Sequence, residues 1–204
     1  MFFNTEERKT KKIALAIGKI VDLQIQQEPF SEMSLSKEGV LRAKICLTIY
    51  NFAYFIYFIN ISEDDYTKIK TKIDDVYDIY YSNFKQKYLT EFIRVSDIVV
   101  NKIEQAEVCY ISKKWLMDYT PEVMTSLDNL FPMLYEIRIP FYLEKIRESW
   151  KSAREDVAFP FLPVTSLFKE HFLSEENEDF IGKFDMVINV ETLKRIIEIV
   201  KKTN

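Results

Sequence analysis

Residues Ile45 to Ser62 read ICLTIYNFAYFIYFINIS, a stretch without a charged side chain and with Phe52, Tyr54, Phe55, Tyr57 and Phe58 crowded into its middle. An apolar run of that length has to be hidden inside a core, in a bilayer, or against a ligand or partner. As a membrane span, the segment Ile45–Ile61 reaches about 25 Å at ~1.5 Å per residue, short of a hydrocarbon core of about 30 Å. Asn51 and Asn60 are costly in lipid, and the tyrosines stand within the run rather than at its edges. The run therefore predicts a central helix that its neighbours bury in a water-soluble bundle.

The flanking segments supply those neighbours. Asn4 or Thr5 can cap a first helix whose opening turn holds Glu6 and Glu7, and Ile13, Ala16, Ile17, Ile20 and Val21 then share one face. Val21, Leu23 and Ile25 alternate with Asp22, Gln24 and Gln26, so a short strand is the competing reading for the end of this element. Glu28-Pro29 ends it. Ser34 or Ser36 can cap the helix that carries the apolar run. Ser62, followed by Glu63, Asp64 and Asp65, reads as the cap and acidic first turn of the next. There Tyr66, Ile69, Ile73, Val76, Tyr77, Tyr80, Phe84 and Tyr88 repeat at spacings of three and four, with lysines and aspartates opposite.

A further stripe, Leu89, Phe92, Ser96, Val99, Val100, Ile103 and Ala106, either continues that helix or forms a second one. Thr120-Pro121-Glu122 is a helix opening, and Pro132 and Pro140 punctuate the chain beyond it. From Pro140 another stripe runs through Tyr142, Leu143, Ile146, Trp150 and Ala153. Phe159-Pro160-Phe161-Leu162-Pro163 is expected to be extended. Met186, Val187 and Ile188 suggest a short strand, and a last helix from Val190 to Lys202 takes Asn189 as its cap. The fold class expected is mainly α. Residues 1–204 form a single-domain helical bundle with an irregular, proline-punctuated C-terminal third and one short two-stranded β element at most.

Composition removes several function classes. Three glycines, Gly18, Gly39 and Gly182, are too few and too scattered for a phosphate-cradling loop or a dinucleotide turn. A net charge of −4 gives no sheath for a nucleic-acid backbone, and Arg8, Lys9, Lys11 and Lys12 beside Glu6 and Glu7 read as a solvated turn. Cys46 and Cys109 sit in apolar surroundings, as buried thiols in a reducing compartment do. Met1-Phe2-Phe3 gives way at once to charged residues without an apolar segment of leader type, which predicts a cytoplasmic location.

Motifs are scarce. His171 is the sole histidine, which rules out a zinc site of several imidazoles and the paired Glu-x-x-His set of di-iron bundles. It reads as structural. Glu175, Glu176, Glu178 and Asp179 raise the question of magnesium, because helical nucleotide pyrophosphatases project carboxylates at such spacings. The next helix offers only Glu191 and Glu198, with Arg195 between them. No metal, cofactor or catalytic residue is therefore assigned.

The functional reading is a non-enzymatic, intracellular protein-binding regulator or inhibitor. In general character, being small, acidic, aromatic-rich and motif-poor, it resembles bacterial immunity proteins, antitoxins and phage-encoded inhibitors; no sequence match is implied. Its candidate contact residues are Phe159, Phe161 and Leu162, and homodimerisation through an apolar helix face is a further expectation. The alternative is a small-molecule or haem-binding helical sensor whose pocket is lined by Tyr50, Tyr54, Phe55, Tyr57 and Phe58. A second alternative is a metal-dependent nucleotide hydrolase built on the carboxylates near Glu175.

Overall fold

A helix that is apolar on every side must be surrounded, and the chain builds its fold around that requirement. In the computed structural model, which describes residues 5–35, 37–62, 66–87, 127–155, 161–172 and 178–202, the run lies within helix α2, Lys37–Ser62. The others are α1 (Thr5–Gln24), α3 (Tyr66–Lys87), α4 (Leu127–Arg154), α5 (Leu162–Phe172), α6 (Glu178–Lys183) and α7 (Val190–Lys201). A 3₁₀ turn, Phe30–Glu32, follows α1, and a π-helical turn, Phe184–Asn189, joins α6 to α7 without a break. α1, α3, α4, α5 and α7 all pack against α2. The architecture is mainly α, and no strand occurs among the described residues.

Burial follows from this placement. Ile45, Leu47, Ile49, Tyr50, Phe52, Ala53, Tyr54, Phe55 and Ile59 have essentially no exposed surface. Inside α2, the stretch Gly39–Ile61 has the length and composition to cross a membrane, so shortness does not separate the two environments as the charge-free run alone suggested. Of the apolar 18-residue window within it, 78% is enclosed by the rest of the molecule.

Several local expectations are corrected. Pro132 and Pro140 do not punctuate; α4 runs through both. Pro140 lies on the exposed side, where solvent can satisfy the carbonyl that its missing N–H leaves behind. Leu162 and Pro163 are not extended but open α5, where a proline costs little because first-turn N–H groups have no helical acceptor; Phe159 and Pro160 lie outside the described residues. Met186, Val187 and Ile188 belong to the π turn rather than a strand. Asn189 is no cap, since its backbone is already helical and its side chain is buried. Ser62 ends α2 instead of opening α3, and the Val21–Ile25 alternation is helical through Gln24.

Most described residues of the C-terminal third are helical, with the π turn at Phe184–Asn189 interrupting the regular α-helix. The Leu89–Ala106 stripe, the Thr120–Pro121 opening, Cys109, Glu175 and Glu176 lie outside the described residues.

Candidate functional site

The aromatic side chains of α2 point in three directions and meet rings at each. Tyr50 makes edge-to-face contacts with Tyr142 of α4, Phe168 of α5 and Phe184 of the π turn, with centroids 6.1, 5.7 and 5.5 Å away. Phe52 meets Tyr77 and Tyr80 of α3 and Tyr135 of α4 at 5.7, 5.3 and 5.6 Å. Tyr57 and Phe58 are half-buried against Trp150, which stacks on the first and meets the second edge-on. Below α2, Phe30 has edge contacts with Phe168, Phe172, Phe180 and Phe184 and fixes the 3₁₀ turn to the C-terminal helices. Such pairs contribute about 0.5–1.5 kcal/mol each beyond burial of their area.

Polar groups thread this interior. Gln24 of α1 donates to Asn51 Oδ1 at 3.2 Å and to Thr192 Oγ1 at 2.5 Å, while Asn51 Nδ2 donates back to Gln24 Oε1 at 2.7 Å. All three residues are buried, so three helices share one closed set of hydrogen bonds. Arg138, 2% exposed, donates from Nη1 to Cys46 Sγ at 3.5 Å, and the Cys46 thiol points at the His171 carbonyl 3.7 Å away. His171 Nδ1 lies 3.3 Å from the Tyr142 hydroxyl. The histidine is thus a buried structural residue on the inner side of α5.

The Tyr50 and Tyr54 hydroxyls lie close enough to perturb one another, yet neither completes a hydrogen bond of good geometry. Burial raises the pKa of both well above the ordinary phenol value, which keeps them neutral. At the π turn, Asp185 accepts from Thr165 and from Asn189 Nδ2 (2.6 Å), and Asn189 Nδ2 also donates to Thr165 Oγ1 at 2.7 Å. Burial raises the Asp185 pKa, and the bonds from Thr165 and Asn189 offset only part of that rise.

Two grooves flank α1. One, of about 160 Å³, lies between α1 and α3, with Ala14, Gly18, Val21, Tyr80 and Phe84 among its lining residues. Asp22 at its edge accepts from Lys44 at 2.8 Å and from Lys87 at 2.6 Å, tying α1 to α2 and α3. The other, of about 260 Å³, lies between α1 and α7. None of Tyr50, Tyr54, Phe55, Tyr57 and Phe58 lines either groove. Among the described residues, no group of three or more His, Cys, Asp or Glu side chains could hold a metal, and Glu191 is engaged by Arg195 at 2.7 Å.

The outer surface holds two of the predicted contact residues and an exposed apolar pair that sequence reading missed. Phe161 is half-buried against the core and Leu162 is 42% exposed at the start of α5. One turn further on, Thr165 is bonded to Asp185 and Asn189, which brings this end of α5 against the π turn. There Met186 is 79% exposed and Val190, four residues later, 39%. A period-2 pattern makes Met186 and its neighbours look like a strand; the buried amide at Asn189 and carboxylate at Asp185, four apart, are the available sign of a helix. In comparisons with known proteins, no family model, no curated protein and no solved structure matches this chain.

Proposed function

We propose that the protein is a non-enzymatic, intracellular contact protein, a regulator or inhibitor that works by binding another protein. The observation that carries this reading is Met186, an apolar side chain 79% exposed on a π turn, with Val190 four residues later and Phe161 and Leu162 at the start of the adjoining helix. π turns occur mostly as single-turn bulges within helices and are frequent at functional sites. Methionine is flexible and polarizable, which suits it to a partner's uneven surface. The inward groups of the same turn, Asp185 and Asn189, are consumed in holding it to Thr165.

A photo-crosslinking amino acid at position 186, in cells expressing the protein at native level, tests the reading. A single adduct is expected there and none from position 151, an exposed lysine on α4. Capture should vanish when Leu162→Asp is combined with the crosslinker. A protein recovered as a lone monomer without adducts contradicts it.

A sensor is the second reading, favoured by the Tyr50 and Tyr54 hydroxyls, two polar atoms sealed in the core without a well-formed hydrogen bond. A small polar ligand beside the pair would supply the partners that both lack. Native mass spectrometry of the purified chain tests this; a mass equal to that of the bare polypeptide counts against it.

A further inference from the structure

We propose that the groove between α1 and α7 receives an acidic segment of a partner protein, anchored by an aliphatic side chain. The floor is Ile13, Ala16 and Ile199, and Lys9, Lys12 and Lys202 stand around it. The fold creates this arrangement: α1 and α7 pack against each other, and Gln24 reaches Thr192 while residues 9–16 meet residues 199–202. The helices therefore run antiparallel. That direction brings the basic residues near position 10 onto the same end of the molecule as Lys201 and Lys202, which lie at the far end of the sequence. Lys12 and Lys202 make no ion pair among the described residues, and Lys9 pairs only with Glu6, at 3.5 Å with both side chains largely in solvent. The dipole of α7 accounts for Lys201 in its last turn, but not for Lys9 and Lys12 on the facing helix.

Charge and shape select the occupant. A chain of net charge −4 that gathers cations around one apolar groove is complementary there to negative charge. The floor is aliphatic and has no ring on which a base could stack, which disfavours single-stranded nucleic acid. The concavity of the groove disfavours a flat anionic bilayer. About 260 Å³ exceeds the ~150 Å³ of a cavity that holds a benzene, so a leucine or isoleucine side chain fits. A peptide can insert such a side chain while its own acids meet the three lysines.

The proposal rests on the contact-protein reading but not on the Met186 face, and the test separates them. The probe is a short fluorescein-labelled peptide of glutamates with a central leucine, titrated at low ionic strength and followed by anisotropy. Saturable binding is expected, weakened about tenfold or more by replacing the peptide's leucine with serine. It should also weaken at least about tenfold in Lys12→Glu/Lys202→Glu, whose circular dichroism should match the parent, and should fall with added salt. Met186→Asp should leave it unchanged. Absence of binding at millimolar peptide overturns the proposal. So does equal affinity for the serine peptide, indifference to the charge reversal, or tighter Lys12- and Lys202-dependent binding to phosphatidylserine vesicles or to single-stranded DNA.

Discussion

Replacing Gln24 by leucine keeps the volume of a buried side chain while removing its amide. In the structure that amide gives hydrogen bonds to Asn51 and Thr192 and takes one from Asn51. The substitution strands the Asn51 carbonyl and the Thr192 hydroxyl in a dry interior. Each stranded group costs about 1–3 kcal/mol, so the variant should lose about 2–6 kcal/mol. For a chain of this size 1 kcal/mol moves Tm by about 2–4 °C, which predicts a fall of about 4–24 °C. Adding Asn51→Leu removes one stranded partner along with the bond, so the double replacement should cost less than the sum of the single changes, although the Thr192 hydroxyl stays without Gln24. The pair should recover at least about 1 kcal/mol relative to additivity in a double-mutant cycle measured by urea unfolding. Singles that each cost less than about 0.5 kcal/mol and simply add would refute the placement of these three residues in a common interior.

Three further outcomes are expected of the same interior. Tyr50→Phe removes a buried hydroxyl that lacks a well-formed hydrogen bond and should leave Tm unchanged or raise it by a few degrees; a clear fall would mean that Tyr54 or a bound molecule satisfies it. Phe168→Ala opens the ring cluster around Phe30 and should cost about 3–5 kcal/mol in denaturant unfolding, with a cost below about 1 kcal/mol contradicting the packing. Burial works to raise the Asp22 pKa, but the hydrogen bonds and charge of Lys44 and Lys87 outweigh it and hold the group below its ordinary value of 3.8. A carboxylate with a depressed folded-state pKa stabilises fully above that ordinary value and loses its contribution as pH falls through the folded one. The Tm gap between the parent and Asp22→Asn should therefore be present at neutral pH and shrink below pH 3.8; a gap constant into strong acid contradicts the ion pairs.

The parts of the fold legible in sequence are those with a single dominant signal. An uncharged run flanked by amphipathic stripes predicts a helix covered by its neighbours, as α2 is, and the Ile69–Phe84 stripe sets the inner face of α3 through Ile69, Val76, Tyr80 and Phe84. Where two local signals compete, tertiary contacts decide. Pro140 breaks an isolated helix, but on the exposed side of α4 its loss is shared with solvent while Ile137, Ile139 and Tyr142 remain buried. Asn189 reads as a cap from one side of the chain only, because Thr165, its buried partner, comes from another helix.

The candidate site is legible in part. Leu162 and Phe161 stand out as apolar residues next to prolines, while the exposure of Met186 has meaning only once the π turn is seen. The lysine-lined groove is not legible at all, since its two sides are separated by most of the chain.

The proposal that α2 is the core helix of a water-soluble protein is tested most directly by hydrogen–deuterium exchange of the full chain in detergent-free buffer. Amides of residues 45–59 are expected to exchange more slowly than those of any other described helix, with the chain remaining dispersed throughout. Rapid exchange across that stretch, or a polypeptide that stays in solution only with detergent, would contradict it.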